Sequence, residues 1–325
     1  MTIIDENFPF FIINEVDTIS LKGERFPYEG ILGLSPDVNG DDYLTLGVPL
    51  PMHLLNQKKI KRAVVGIDMH QSTKETSSLT IGKIDETKFR NKAETEATLK
   101  WFDVPKSSTR FAWKREMRNV YYNGKSFDDG EINDAVFDSF YGGILLPITE
   151  WEPLFKEIEA NLTSAGKKYL ICDWTNYQCT FQGTCESKYA DWESFHFNFV
   201  EDRAYSVKPQ SYLIDTKDKD GFNICNIVVH GNTLHKNEYI LGDVFMQSMY
   251  VVLDYENSRF AVNGNYITVD KLNEKEPKVP STGSMIWVII GAVIGVLVLV
   301  AVAGFIVVKV KNRRLQANLA KYDQL

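Results

Sequence analysis

The sequence predicts a mainly β-sheet body, all-β in class, followed by one membrane-spanning helix. Three observations carry this. Short β-branched and aromatic runs recur between turn signals through residues 1–270. Only one segment of that stretch has a strong helical period. Met285 to Val308 then gives 24 residues without a charge.

The strands are the most frequent element. Ala63-Val-Val-Gly-Ile67, Ser78-Leu-Thr-Ile81, Phe195-His-Phe-Asn-Phe-Val200 and Met249-Tyr-Val-Val-Leu-Asp254 have the composition of buried or half-buried strands. Asn257-Ser258 and then Arg259-Phe-Ala-Val262 predict a hairpin after the last of them. The helical segment opens with Thr149-x-x-Glu152, which has the form of a capping box. Trp151, Leu154, Phe155, Ile158 and Leu162 follow at helical spacing. Pro153 is expected in the first turn, where a missing N–H costs little. A second, shorter helix is expected over Pro51 to Ile60. Residues 271–284 are polar, lack a core-forming period and read as a stalk.

The uncharged run sets the broad class. As a helix it would be about 36 Å long at ~1.5 Å per residue, and a hydrocarbon core needs about 30 Å. Trp287 stands where an interfacial aromatic would stand. Lys309, Lys311, Arg313 and Arg314 follow directly, which predicts a cytoplasmic tail over 309–325. Gly291-x-x-x-Gly295 is a pair common in packed membrane helices. The chain has 36 basic and 43 acidic side chains, a net charge of −7. Because the tail is basic, the body before it is more acidic than the whole. That balance argues against nucleic acid as a partner.

Compartment is read from smaller signals. Met1-Thr-Ile-Ile-Asp-Glu-Asn-Phe-Pro-Phe10 has neither a basic n-region nor a long apolar h-region, so no signal peptide is read there. Cys172, Cys179, Cys185 and Cys225 form no Cys-x-x-Cys and no zinc spacing. Their even number suggests two disulfides, with three pairings open. Asn161-Leu-Thr163 is a glycosylation acceptor sequence. Together these favour a body in an oxidising lumen, hence a single-pass type I membrane protein of endosomes, lysosomes or the cell surface. Tyr322-Asp-Gln-Leu325 has the Tyr-x-x-apolar form read by clathrin adaptors, an expected tail partner.

Several chemistries are absent. There is no Gly-x-Ser-x-Gly, His-Glu-x-x-His, Gly-x-Gly-x-x-Gly or P-loop. Asp218-Lys-Asp220-Gly221 hints at a calcium loop, but Thr216 and Ile227 would occupy its first and twelfth positions, so it reads as a polar turn. No metal site and no cofactor are expected.

Two Ile-Leu-Gly tripeptides, Ile31-Leu32-Gly33 and Ile240-Leu241-Gly242, each follow a β-rich stretch. Their flanks carry a resemblance. Phe26-Pro-Tyr-Glu-Gly-Ile-Leu-Gly-Leu34 resembles the Phe-Asp-Gly-Ile-Leu-Gly-Leu signature of pepsin-like aspartic proteases. Tyr239-Ile-Leu-Gly-Asp-Val-Phe-Met-Gln-Ser-Met-Tyr-Val-Val-Leu-Asp254 resembles that family's closing segment. Ser78 to Phe89 is similar to its Gly-Gly-Ile-Asp strand, and Leu99-Lys-Trp101 to its Leu-Asn-Trp. Order and spacing agree over residues 10–268.

The resemblance implies a bilobal fold, with a partial N-terminal lobe over 1–95 and a C-terminal lobe over 96–270. It aligns Ala135-Val-Phe-Asp-Ser-Phe-Tyr-Gly-Gly-Ile-Leu-Leu-Pro147 with the family's second catalytic motif. Asp138 then takes the catalytic position and Ser139 the supporting hydroxyl. Phe140 replaces the family's glycine and Tyr141 its next Thr or Ser. Ile240, Leu241 and Gly242 would cross beneath the loop. It further implies a Cys185–Cys225 disulfide, which leaves Cys172 with Cys179. The implied activity is endoproteolysis of peptide or protein substrates in an acidic lumen. It needs two aspartates that share a proton, a behaviour known from this protease class itself. Asp-Thr-Gly does not occur in the sequence, and Asp17-Thr18-Ile19 lacks the glycine and lies too close to Ile31. The chain is therefore expected to begin inside the N-terminal lobe and to be inactive as written, with Phe140 crowding the water site or the opposing loop. The alternative is a non-catalytic, membrane-displayed module that binds peptides or proteins.

Overall fold

The computed structural model describes residues 32–36, 48–71, 75–104, 112–127, 130–199, 202–235 and 237–275. Among them β-structure dominates, arranged in four sheets. The sequence runs into strands because β-branched and aromatic residues alternate or cluster between turn residues. Ser78–Ile81 and Met249–Asp254 are strands over the expected residues. Val64–Asp68 and Phe195–Asn198 differ from expectation by one or two residues at their ends.

One five-stranded antiparallel sheet has the order Ser78–Ile81, Val64–Asp68, Met249–Asp254, Arg259–Gly264, Trp101–Asp103. Strands from both sides of position 95 share it. Gly66 is required here. A Cβ on it would collide with the Tyr250 side chain, which lies across the strand and accepts the Asp85 N–H at 3.0 Å. The expected hairpin turns at Asn257-Ser258, with Ser258 at positive φ.

A second sheet, ordered Val229–Asn232, Ile144–Pro147, Glu238–Leu241, Asn133–Phe137, Trp113–Met117, carries the functional loop. Phe137 leads from this sheet into the main core. Its ring lies 4.6 Å from Phe260 and 5.7 Å from Phe245 between centroids. Phe199 stacks on it at 5.8 Å. Close aromatic pairs of this kind each add about 0.5–1.5 kcal/mol beyond burial.

The helix Ile148–Ser164 buries Trp151, Leu154, Phe155, Ile158 and Leu162, the face read from the sequence. Its start differs from expectation. Pro147 is the N-cap residue and makes no side-chain cap, so Thr149 already lies inside the first turn. Pro153 therefore falls in the second turn and removes one rung of the helical ladder. The shorter helix is Leu50–Asn56, which ends before the expected Ile60. Helix Val269–Lys275 takes up the first residues of the expected stalk. Asp218 forms a polar turn, its Oδ1 accepting the N–H groups of Asp220 and Phe222.

The disulfides are Cys172–Cys179 and Cys185–Cys225. The first joins directly opposed residues of Leu170–Asp173 and Gln178–Gln182. Among the described residues no helix is long and apolar enough to cross a membrane. The run 285–308, the tail residues Tyr322 and Leu325, and Ile31 of the first Ile-Leu-Gly lie outside the described residues.

Candidate active site

Asp138 follows directly on the strand Asn133–Phe137 and begins a loop that returns through Gly143 to Ile144–Pro147. The strand Glu238–Leu241 runs between these two arms. It pairs in parallel with the first, Leu241 opposite Phe137, and antiparallel with the second, Leu241 opposite Ile144. Ile240 and Leu241 therefore lie where the loop springs from the sheet.

Three backbone hydrogen bonds bind loop to strand, and a fourth closes the loop's own turn. Asp138 N–H donates to the Leu241 carbonyl at 3.3 Å, and Tyr141 N–H closes the turn onto the Asp138 carbonyl at 3.1 Å. Gly242 N–H donates to the Gly143 carbonyl at 3.0 Å, and Asp243 N–H to the Tyr141 carbonyl at 2.9 Å. The approach is close enough that a Cβ on Gly242 would collide with both carbonyl oxygens. This is the physical reason for a glycine after Ile240-Leu241.

The carboxylate itself is exposed. Its Oδ1 accepts the Phe140 N–H at 3.0 Å, which fixes its orientation. Phe140 makes that bond without positive φ, so the backbone here does not require glycine. Its ring points outward and is 75% exposed. Ser139 is exposed beside it.

Next to Asp138 and Ser139 lies a cavity of about 240 Å³ whose walls include Leu32, Leu34, Trp113 and Met246. The first Ile-Leu-Gly-Leu signature thus reaches the Asp138 loop through Leu32 and Leu34. Leu34 is tied down by its carbonyl, which accepts the Trp113 indole N–H at 2.6 Å and the Tyr255 hydroxyl at 2.7 Å. The ring of Tyr255 meets that of Trp113 edge-on at 5.1 Å.

Two groups near the loop have displaced ionisation. Burial pushes the Tyr141 hydroxyl up. Burial also pushes the Asp243 carboxyl up, against a backbone hydrogen bond from Val244. Among the described residues, one Asp243 oxygen is buried with no hydrogen-bond partner. Sequence reading gave Asp243 no role. Its position directly after Ile240-Leu241-Gly242 was the available signal.

The other sequence-predicted residues stand apart from this site. Asn161 is exposed in the last turn of Ile148–Ser164, its amide donating to Glu157 at 3.4 Å. Cys185, Cys225 and Asp215 cluster, but both sulfurs are committed to the disulfide, and Asp215 accepts the Cys185 N–H at 2.8 Å.

Comparison with known proteins agrees with this geometry. The family model described as eukaryotic aspartyl protease matches residues 5–263. A probable aspartic-type endopeptidase CTSD of Arthroderma otae is 23% identical over 239 residues, 72% of this chain and 54% of that protein. Plasmepsin I of Plasmodium falciparum is 23% identical over 261 residues, 79% of this chain and 50% of the relative. Pregnancy-associated glycoprotein 2 of Bos taurus is 23% identical over 243 residues, 74% and 55%. The chain spans about half the length of these curated relatives. With the Asp138 loop seated on Ile240-Leu241-Gly242 and the match running through both Ile-Leu-Gly signatures, the chain belongs to the eukaryotic aspartyl protease family.

Proposed function

We propose that this chain provides the Asp138 half of an aspartic endopeptidase site acting on peptide or protein substrates in an acidic lumen. The observation that carries the reading is the exposed Asp138 carboxylate, oriented by the Phe140 N–H at the rim of an open cavity. In the proposed chemistry one ionised carboxylate takes a proton from water and a second, protonated one donates to the scissile carbonyl. Asp138 is one of the pair. The 325 residues contain no Asp-Thr-Gly, so the second carboxylate has to come from another loop facing Asp138. The chain alone is then inactive. A statine-type peptide inhibitor tests this. It should bind at about pH 4 only when a half-lobe carrying Asp-Thr-Gly is supplied. Binding to the chain by itself would refute the reading.

Phe140 favours a second reading, a non-catalytic module that binds peptides. Its large apolar ring is 75% exposed two residues from Asp138, free to meet a peptide side chain. Phe140→Gly separates the two. It should raise cleavage in the completed protease, and it should weaken peptide binding by a module.

The setting is proposed with the function. Residues 285–308 anchor the body in a membrane as a type I protein, Asn161 carries a glycan, and Tyr322 with Leu325 engages a clathrin adaptor that retrieves the protein to endosomes or lysosomes. Protease added to intact vesicles should trim only the tail. Digestion of the body would refute the lumenal placement.

A further inference from the structure

Residues 58–62 join the helix Leu50–Asn56 to the strand Val64–Asp68 and read Lys-Lys-Ile-Lys-Arg. Lys58, Lys59 and Lys61 are exposed. Lys58 closes the helix at φ 56°, its N–H donating to the Leu55 carbonyl at 2.8 Å and the Lys59 N–H to the Leu54 carbonyl at 2.9 Å. Beyond that cap, among the described residues, the N–H groups of Ile60, Lys61 and Arg62 make no main-chain hydrogen bond. The Arg62 side chain pairs with Glu96 at 2.6 Å, the two being 40% and 37% exposed. A surface pair of this kind resists displacement little.

The next residue is fixed in place. Ala63 is buried, its N–H donates to Glu256 Oε2 at 2.7 Å, and its carbonyl accepts the Tyr255 N–H at 3.0 Å. A carboxylate therefore stands against the nitrogen that a cut after Arg62 would turn into an α-amino group. An α-amine titrates near pH 8, so it is an ammonium in neutral or acid solution. The present hydrogen bond would become a charge-assisted pair between the same two atoms.

We propose that the Arg62–Ala63 bond is a processing site for an endoprotease specific for paired basic residues, and that the new Ala63 ammonium pairs with Glu256 and holds the cut strand in its sheet. Basic side chains stand where such an enzyme reads them: Arg62 at the bond, Lys61 before it and Lys59 two further back. A carboxylate-lined cleft complements these charges. The unbonded N–H groups of residues 60–62 let the segment lie in that cleft as an added strand. Ala63 has to lift for the bond to enter, a local opening at the strand's end and not a global unfolding. Exposed connections between elements are where nicking concentrates. Water adds across the bond, so that Arg62 ends in a carboxylate and Ala63 begins with the ammonium. The cut severs Leu32 and Leu34, which wall the cavity beside Asp138, from the chain that carries Asp138. The severed piece keeps the bonds from Trp113 and Tyr255 to the Leu34 carbonyl and the buried Pro51 and Leu54 of its helix.

Two measurements on the full chain test this. The chain is digested with a purified subtilisin-type endoprotease specific for paired basic residues, and the products are sequenced from their N-termini. Within the body, Lys167-Lys168 is the internal control, since both are exposed but Ala165 stands where Lys59 stands in the proposed site. A new N-terminus at Ala63 should appear before any at Tyr169, and Lys61→Gln, an exposed substitution, should suppress it. A first body cut after Lys168, or an Arg62–Ala63 bond cut in the urea-unfolded chain and not in the folded one, overturns the proposal. The second measurement is thermal melting at about pH 6. Glu256→Gln should lower the melting temperature of the cut chain by about 2–4 °C more than that of the uncut chain. An equal shift in both overturns the ammonium–carboxylate pair. Neither readout depends on hydrolysis by this chain, so their failure and that of the endopeptidase reading are distinguishable.

Discussion

The indole N–H of Trp113 donates to the main-chain carbonyl of Leu34 at 2.6 Å, 79 positions earlier in the chain. The Tyr255 hydroxyl meets the same oxygen from a position 221 residues away. One carbonyl thereby joins the first Ile-Leu-Gly-Leu signature to the strand beside the Asp138 loop and to the residue after the closing strand. Trp113→Phe keeps most of the apolar contact and loses the donor. It should lower stability by about 1–2 kcal/mol in denaturant unfolding. With Tyr255→Phe it should show a coupling of about 0.5 kcal/mol or more, because both donors share an acceptor and their rings touch. Strict additivity would mean that the shared acceptor does not link them.

Gly242 and Gly142 make an internal control. Gly242→Ala forces a Cβ into the carbonyls of Tyr141 and Gly143, whereas a Cβ on Gly142 meets nothing within 4 Å among the described residues. Gly242→Ala should cost at least about 3 kcal/mol, and Gly142→Ala should stay within about 0.5 kcal/mol. Urea titrations of the two variants read the difference. Equal, small effects would mean that the loop and its crossing strand are not tightly seated.

The two disulfides should differ in weight. Cys185–Cys225 closes a separation of 40 residues and Cys172–Cys179 one of 7. On the chain-entropy account their loss costs about 4 and about 2 kcal/mol respectively. Paired Cys→Ala variants compared by denaturant midpoint check the order. A larger loss from removing Cys172–Cys179 would contradict it.

Asp68 sets a stability limit in strong acid. Its carboxyl is held low in the fold, so its contribution is present above the unfolded-state value near 3.8 and is lost as pH falls through the lower folded value. Asp68→Asn should therefore destabilise above the usual carboxylate range and differ progressively less from the wild type as pH falls below it. Melting curves across that range test the sign. A deficit that grows on acidification would reverse it.

Much of the fold was legible because strand signals are local. Met249–Asp254 and Ser78–Ile81 combine β-branched residues with flanking turn residues and needed no tertiary information. The Asp138 loop and its crossing strand were legible through motif resemblance, which carried geometry that no single residue reveals. Thr149 was misread because its spacing to Glu152 imitates a cap, while Pro147, two residues earlier, is already the N-cap. The gathering of His70, Lys88 and Arg90 around the buried Asp68 carboxylate, 2.8–3.2 Å from its oxygens, was not legible. Asp68, His70, Lys88 and Arg90 are spread over more than twenty positions and look like ordinary surface charges until the strand pairing buries Asp68. The tie from Trp113 to Leu34 has no sequence signature either, since a main-chain carbonyl can accept from any donor.

The central claim is that Asp138 is one carboxylate of a two-carboxylate site. Hydrolysis of a fluorogenic peptide between about pH 3 and pH 7 tests it most directly, the acid range in which carboxylate dyads titrate. The chain is measured alone, with a supplied half-lobe carrying Asp-Thr-Gly, and with Asp138→Asn in each case. The expected result is no cleavage by the chain alone, and acid-dependent cleavage by the completed protein that Asp138→Asn abolishes. Cleavage that survives Asp138→Asn in the completed protein would contradict the claim.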